Sequence, residues 1–293
     1  MRKFARKNCK RQLVTETTQA TQAEPSIQRP IPGARPLRVF LTGASSGIGQ
    51  ALARHYAAQG AQLGLVARRT ETLEAFAEVC AKTYPQANIA VLPADVCESD
   101  SMHAAAKAFT ARFGVPDIVI ANAGISTGAL TGCGDLDTFR AVMDTNYFGM
   151  VATFEPFIDN MSMARHGTLV GIGSVAGVRG LPGHGAYSAS KAAAMRYLES
   201  LRVELRPAGI SVVTIAPGYI RTPMTDGNPF PMPFLMDADR FAAKAAGVIL
   251  RRARFAVLPW PMRIVSALLH VTPRWLYDLA MQNAPRKPRA PQA

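Results

Sequence analysis

From Leu37 onward, short apolar runs alternate with stretches whose apolar residues recur at helical spacing. The runs LRVFLT (37–42), QLGLVA (62–67), NIAVLP (88–93), DIVIAN (117–122), TLVGIG (168–173), ISVVTIA (210–216) and FAVLP (255–259) read as strands. Between them the spacing predicts helices over 47–59, stopped by Gly60, and over 70–83, where Leu73, Phe76, Ala77 and Cys80 share a face. Further helices are expected at 99–113, ending at Gly114, around 135–160, from about 186 to 206, and near 237–252. Strands that alternate with amphipathic helices imply βαβ units. The fold class is therefore α/β: a doubly wound parallel sheet of about seven strands, covered on both faces, with right-handed crossovers. Residues 260–282 look like two short helices split at Pro273, and no apolar stripe runs through 1–36.

Composition adds limits. Of the 293 residues, 48% are hydrophobic and 18% charged, enough apolar material for a sizeable core. Cys9, Cys80, Cys97 and Cys133 are far apart, which argues against a disulfide scaffold or a structural zinc site. The five histidines form no ligand pattern, so no metal is expected; His184, three before Tyr187, is a candidate for the pocket entrance. No apolar run is long enough for a transmembrane helix. The net charge of +13 sits mostly in the tails. Residues 1–38 hold nine Lys/Arg against Glu16 and Glu24, and residues 284–293 add Arg286, Lys287 and Arg289 without an acid. A nucleic-acid-binding domain would more often carry its charge on one face of the fold, so no specific nucleic-acid partner is expected. The leader 1–36 is expected to be a disordered basic extension. Its first dozen residues have a transit-peptide-like composition, but it lacks the apolar stretch of a secretory signal.

One segment carries chemistry at once. Thr42-Gly43-Ala44-Ser45-Ser46-Gly47-Ile48-Gly49 lies between the first strand and the first helix. Glycines there let the backbone approach a pyrophosphate, and the helix offers it free N–H groups and a positive dipole end. The spacing G-x-x-x-G-x-G resembles the short-chain dehydrogenase/reductase family, and the resemblance runs from about Leu37 to about Pro259. It implies a Rossmann-type domain over 37–259, with 260–293 as a helical extension and basic tail. It also implies that Gly43, Ser45, Ser46 and Ile48 of the loop hold the dinucleotide. Asp95-Val96 looks like the family's adenine-contacting pair, and Asn122-Ala123-Gly124 like its NAG motif. Pro217-Gly218, Ile220 and Thr222 fall in a P-G-x-x-x-T segment that holds the nicotinamide end. Asn146, Ser174, Tyr187 and Lys191 match the catalytic tetrad, with Tyr187 and Lys191 also touching the cofactor.

Cofactor choice turns on the end of the second strand, where an acid would bind a ribose 2′-hydroxyl and repel a 2′-phosphate. The chain has Arg68-Arg69 instead. A guanidinium grips phosphate in bidentate fashion, which favours NADP(H). Tyr187 and Lys191, four apart on a helix, share a face. A nearby ammonium is expected to bring the phenol down from about 10 toward working range, so that it can give a proton to a carbonyl or take one from an alcohol. Ser174 can hold the substrate oxygen. By resemblance, Asn146 would bind a water that links Lys191 to solvent, and Lys191 would contact the nicotinamide ribose.

The segment 224–236 has three prolines within five residues, which preclude a regular helix. The resemblance implies a substrate-covering lid here, and Met224, Phe230, Met232, Phe234, Leu235 and Met236 would give it an apolar inner surface. The expected activity is an NADP(H)-dependent oxidoreduction of a small-molecule carbonyl or alcohol that is apolar and lipid-like. Alternatives are a cofactor-sensing module without turnover and a membrane-surface scaffold. A homo-oligomer is expected. The location is read as cytoplasmic, with peripheral membrane contact a second candidate, because Arg263, Arg274 and 286–289 flank Trp260 and Trp275.

Overall fold

The computed structural model describes residues 35–226, 228 and 231–289. The leader, as far as residue 34, and Phe230 lie outside the described residues. In chain order the elements are β1 (Arg38–Thr42), α1 (Gly47–Ala58), β2 (Gln62–Ala67), α2 (Thr70–Thr83), β3 (Asn88–Pro93), α3 (Ser99–Phe113) and β4 (Ile118–Ala121). Next come α4 (Leu136–Met143), α5 (Gly149–Ala164), β5 (Thr168–Ile172), α6 (Gly185–Glu204), β6 (Ser211–Pro217), β7 (Ile220–Arg221) and β8 (Met236–Asp237). The chain continues through α7 (Ala238–Leu250), β9 (Phe255–Leu258), α8 (Trp260–Val271) and α9 (Arg274–Met281).

Seven strands form one parallel sheet in the order β3-β2-β1-β4-β5-β6-β9, while β7 and β8 pair as a separate parallel ribbon. Val39 of β1 lies opposite Leu63 of β2 on one side and Ile118 of β4 on the other. The two faces of the sheet are both buried, and neighbouring residues on a strand serve different layers. Leu41 joins Leu52 of α1, Phe76 of α2 and Phe241 of α7. Phe40 joins Phe109 of α3, Phe154 and Phe157 of α5 and Leu198 of α6. Phe40 meets Phe109 and Phe157 edge-on at 5.5 and 4.8 Å. This is the doubly wound Rossmann-type sheet that the alternating pattern implies.

The long helix expected around 135–160 is two helices. Between α4 and α5 the turn Asp144–Phe148 is π-helical. The wider turn carries Asn146, which is fully buried, toward α6 instead of leaving it facing solvent.

The two helices after β9 are present and break at Pro273. One face of α8 packs on the body: Met262 is buried among Val175, Ala216 and Val257, with Val265 and Leu269 partly buried beside them. Its other face is exposed. Among the described residues no helix is long and apolar enough to cross a membrane.

Candidate active site

The C-terminal ends of β1 and β4 diverge because β1 connects outward to β2 while β4 leads to β5 on the other side. Ligands bind at such a switch point in parallel sheets. A cleft of about 320 Å³ opens there. Every residue named above for the cofactor lines it: Gly43, Ser45, Ser46, Ile48, Arg68, Arg69, Asp95, Val96, Asn122, Ala123, Gly124, Tyr187, Lys191, Pro217, Gly218, Ile220 and Thr222. Ser174 lines it too, whereas Asn146 sits behind the wall.

The loop after β1 depends on glycine. Gly43 takes φ +68°, and a Cβ on Gly49 would lie 2.1 Å from the Gly43 carbonyl oxygen, a backbone atom that has nowhere to go. The side chain of Asn122 fixes the same loop, donating to the Thr42 and Gly43 carbonyls at 3.0 and 3.2 Å. Thr42, buried, accepts the Asn122 and Ala123 amides on its hydroxyl at 3.2 and 3.3 Å. Thr42 therefore ties β1 to β4, a role the sequence did not signal because its partner is 80 residues away.

A dinucleotide fits these residues. The N-cap of α1, Ser46, makes no side-chain cap bond, and the first turn has no acid. The helix thus presents its unpaired amides and dipole to the cleft. At the other wall, β2 ends in Ala67-Arg68-Arg69. Arg69 donates to Ser45 Oγ at 3.3 Å, and Arg68 stands exposed, 3.6 Å from Asp95. At the third strand's end, the Cys97 amide donates to Asp95 Oδ1 at 3.0 Å and so holds its carboxylate in place.

Tyr187, Ser174 and Lys191 meet at the opposite end. Ser174 Oγ accepts the Ala176 amide at 3.1 Å, which orients the hydroxyl and leaves its proton to give. That hydroxyl hydrogen-bonds the Tyr187 phenol. Lys191, buried, donates from Nζ to the Ile172 carbonyl at 2.8 Å and lies 5.9 Å from the centre of the Tyr187 ring. The expected lowering of the phenol by this ammonium is absent. Burial pushes the Tyr187 phenol up, and only the Ser174 bond pulls it down. Burial also drives Lys191 down from 10.5 to about 8. Both groups are desolvated on the same wall, so each loses more hydration than it gains from the other.

Asn146 has protein partners that the sequence did not signal. Its Nδ2 donates to the Ile125 carbonyl and to Ser190 Oγ, both at 2.9 Å, and its Oδ1 accepts the Ile125 amide at 2.8 Å. No side-chain proton is left for a water. Ser190 in turn donates to the Tyr187 carbonyl at 2.9 Å. Asn146 and Ser190 thus clamp the loop after β4 to the helix that carries Tyr187 and Lys191. Ser190 was missed in the sequence; its sign was a small polar residue three after Tyr187, on that helix's inner face.

Of the lid, Met224 reaches the cleft, while Phe234 is exposed and Met236 is buried in the β7–β8 ribbon. Thr225 holds the base of the lid, donating to the Ile220 carbonyl at 2.7 Å and accepting the Thr222 amide at 3.1 Å. The C-terminal tail is anchored at residues 287 and 289. Lys287 Nζ donates to Ser126 Oγ at 3.1 Å, and Arg289 grips Asp135 with two bonds of 2.8 and 2.6 Å. His184 lies beside this tail, half-buried and bridged to Ala129.

Residues 38–229 match the family model described as short chain dehydrogenase. A Myxococcus xanthus protein described as an uncharacterized oxidoreductase is 37% identical over 249 residues, which cover 83% of this chain and 96% of that one. A short-chain dehydrogenase from Sphingobium yanoikuyae, solved in complex with NADPH, has a TM-score of 0.69 at 27% identity, covering 88% of this chain and 98% of its own. A 3-oxoacyl-(acyl-carrier protein) reductase from Brucella melitensis, solved with bound NAD, has a TM-score of 0.68 at 27% identity, covering 77% and 90%.

Proposed function

The chain belongs to the short-chain dehydrogenase family of oxidoreductases, and from that premise we propose that it uses NADP(H) to interconvert a carbonyl and a secondary alcohol on a largely apolar substrate. The observation that carries this reading is the pairing of Ser174 and Tyr187 at one end of a cleft whose other end holds two arginines and no acid on β2.

NADPH, when bound, would supply a hydride to the carbonyl carbon. The protein's own part is to place the carbonyl oxygen between the Ser174 hydroxyl and the Tyr187 phenol. Ser174 donates to the oxygen as negative charge grows on it. Tyr187 delivers the proton that completes the alcohol, and the reverse sequence oxidises it. The high affinity of the buried phenol for its proton suits it to the waiting, protonated state. Lys191, balanced near pH 8, stands by the phenol as it becomes negative and is stabilised in its charged form at that moment.

Among structural neighbours both NADPH and NAD occur, so the choice here rests on Arg68 and Arg69. Fluorescence titration of the purified protein should show NADPH binding at least about tenfold tighter than NADH, the effect of one charged phosphate contact. Arg68→Asp should erase the preference; equal affinities in the unaltered protein would overturn it. Met224, the apolar lid residue that lines the cleft, supports a substrate with an aliphatic body. In a ketone series each added methylene should raise kcat/KM about fourfold until the pocket is full, from about 0.8 kcal/mol per methylene. A flat series would refute that part.

A further inference from the structure

We propose that Lys287 and Ser126, beside His184, form a subsite for a carboxylate carried by the substrate, on the Tyr187 side of the cleft. The inference deepens the reading above and rests on it only for the word substrate.

The tail reaches this place by close backbone contact. A Cβ on Gly128 would lie 2.4 Å from the Lys287 carbonyl oxygen, and one on Gly183 would lie 2.8 Å from Arg286 Cβ. Two glycines, one in the loop after β4 and one before α6, therefore make the groove in which 286–289 lies. Arg289 locks it, through Asp135 and through the Cys133 carbonyl at 2.7 Å. Lys287 is thereby delivered to Ser126, which follows Ile125. Ile125 lines the cleft, packs in one apolar cluster with Tyr187 and Ala129, and is held at both its amide and its carbonyl by Asn146. Ser126 thus follows, in the chain, a residue of the cleft wall, while Ser126 and Lys287 themselves stand outside the cleft lining.

Among the described residues its charge has no counter-ion. Asp135, which holds this stretch of tail, is consumed by Arg289 and by the Leu130 amide at 2.9 Å. Among the described residues no carboxylate pairs with Lys287, although the side chain is half-buried and burial pulls its pKa down. The neighbouring His184 is lowered by burial and by Lys287, against a backbone bond to Pro182 that raises it, and so stands as a neutral imidazole beside the ammonium. An ammonium that has lost water without gaining a counter-ion favours an incoming anion. The donors also match the ligand. Ser126 Oγ accepts the Lys287 bond, so its own proton remains to give, and Nζ keeps two more. Two adjacent donors of this kind suit the two oxygens of a carboxylate better than they suit a neutral hydroxyl.

The test measures binding, not turnover. Decanoate and decanol are titrated into the purified full chain by calorimetry. The unaltered protein should favour decanoate. In Lys287→Gln the ratio of decanoate to decanol affinity should fall about tenfold, the value of a charged hydrogen bond. Lys287→Arg should restore it. Ser126→Ala, which leaves the tail's ammonium in place, should lower the same ratio and covers the case in which Lys287→Gln loosens the tail. No preference for decanoate in the unaltered protein, or equal loss of both ligands in the variants, would overturn the subsite. Failure to reduce any ketone would overturn the oxidoreductase reading and leave this measurement standing.

Discussion

Tyr187 and Lys191 are four residues apart, but their chemistry is set by what buries them. Tyr187→Phe removes the phenolic proton and keeps the ring on Ile125 and Ala186. Turnover should fall by about 10²–10⁴, the usual worth of a general acid, with NADPH affinity little changed. Single-turnover kinetics beside a binding titration would check both halves, and a variant that kept a tenth of the rate would exclude Tyr187 as the acid. Lys191 gives a prediction with a definite sign. Its folded pKa of about 8 lies below the ordinary 10.5. Between those values the unfolded chain holds a proton that the folded chain has lost, so unfolding free energy rises with pH across that window. The whole change is about 3 kcal/mol for this one group. Urea unfolding of the cofactor-free protein at pH 7.5 to 9.5 should show the rise. Lys191→Met should flatten it, and an equal slope in the variant would place the effect elsewhere. That Ser174, Tyr187 and Lys191 would face one cleft was legible in the sequence because their spacings are local or follow strand ends. The direction of the Tyr187 shift was not, since an estimate from one cation in a uniform medium leaves out the desolvation that dominates here. Nor was the use of both Asn146 protons, which depends on a loop and a helix brought together by the sheet.

At the scale of elements, the apolar runs located every strand of the main sheet to within about two residues, because the inner strands are buried on both faces, while the edge strands β3 and β9 stay apolar enough to read although their ends are exposed. Two things escaped. The β7–β8 ribbon has two residues per strand, too few for a pattern. The π-helical turn at 144–148 adds a residue without changing composition, so 135–160 reads as one helix. The junction of β1 and α1 offers a direct test. Gly49→Ala would place a methyl 2.1 Å from the Gly43 carbonyl oxygen and 2.6 Å from Asn122 Nδ2. Backbone on one side and a bonded side chain on the other leave no room, so α1 must tilt away. A cost of about 1–3 kcal/mol is expected from such overpacking, together with loss of dinucleotide binding. Thermal unfolding and the NADPH titration read the two effects. Unaltered affinity in a destabilised variant would mean that the amide cradle survives the tilt, and would count against α1 as the phosphate site.

For the molecule as a whole, the C-terminal extension raises a question that its inner face answers only in part. Met262 seals α8 onto the Pro217-Gly218 turn, within 2.5 Å of where a Cβ of Gly218 would stand, so packing on the body is real. The outer face is different. Trp260 and Val271 are each 71% exposed and Trp275 is 69% exposed, with Ile264 and Leu268 exposed on α8 and Leu279 on α9. Singly such residues are ordinary; grouped over two helices they are the kind of surface on which a partner is worth testing. Charge narrows the choice. On the two helices Arg263 and Arg274 stand exposed beside the stripe against the single acid Asp278. A second copy of this surface would bring like charges together, whereas an anionic bilayer offers apolar depth and opposite charge at once. The expected outcome is that the full chain sediments with phosphatidylserine-containing vesicles, less so with neutral ones, and is released by salt. Leu268→Glu, which places a charge on the exposed stripe away from Met262, should abolish sedimentation while NADPH binding persists. A protein that stays in the supernatant, yet runs as a dimer that Leu268→Glu splits, would give the stripe to self-association and the homo-oligomer instead.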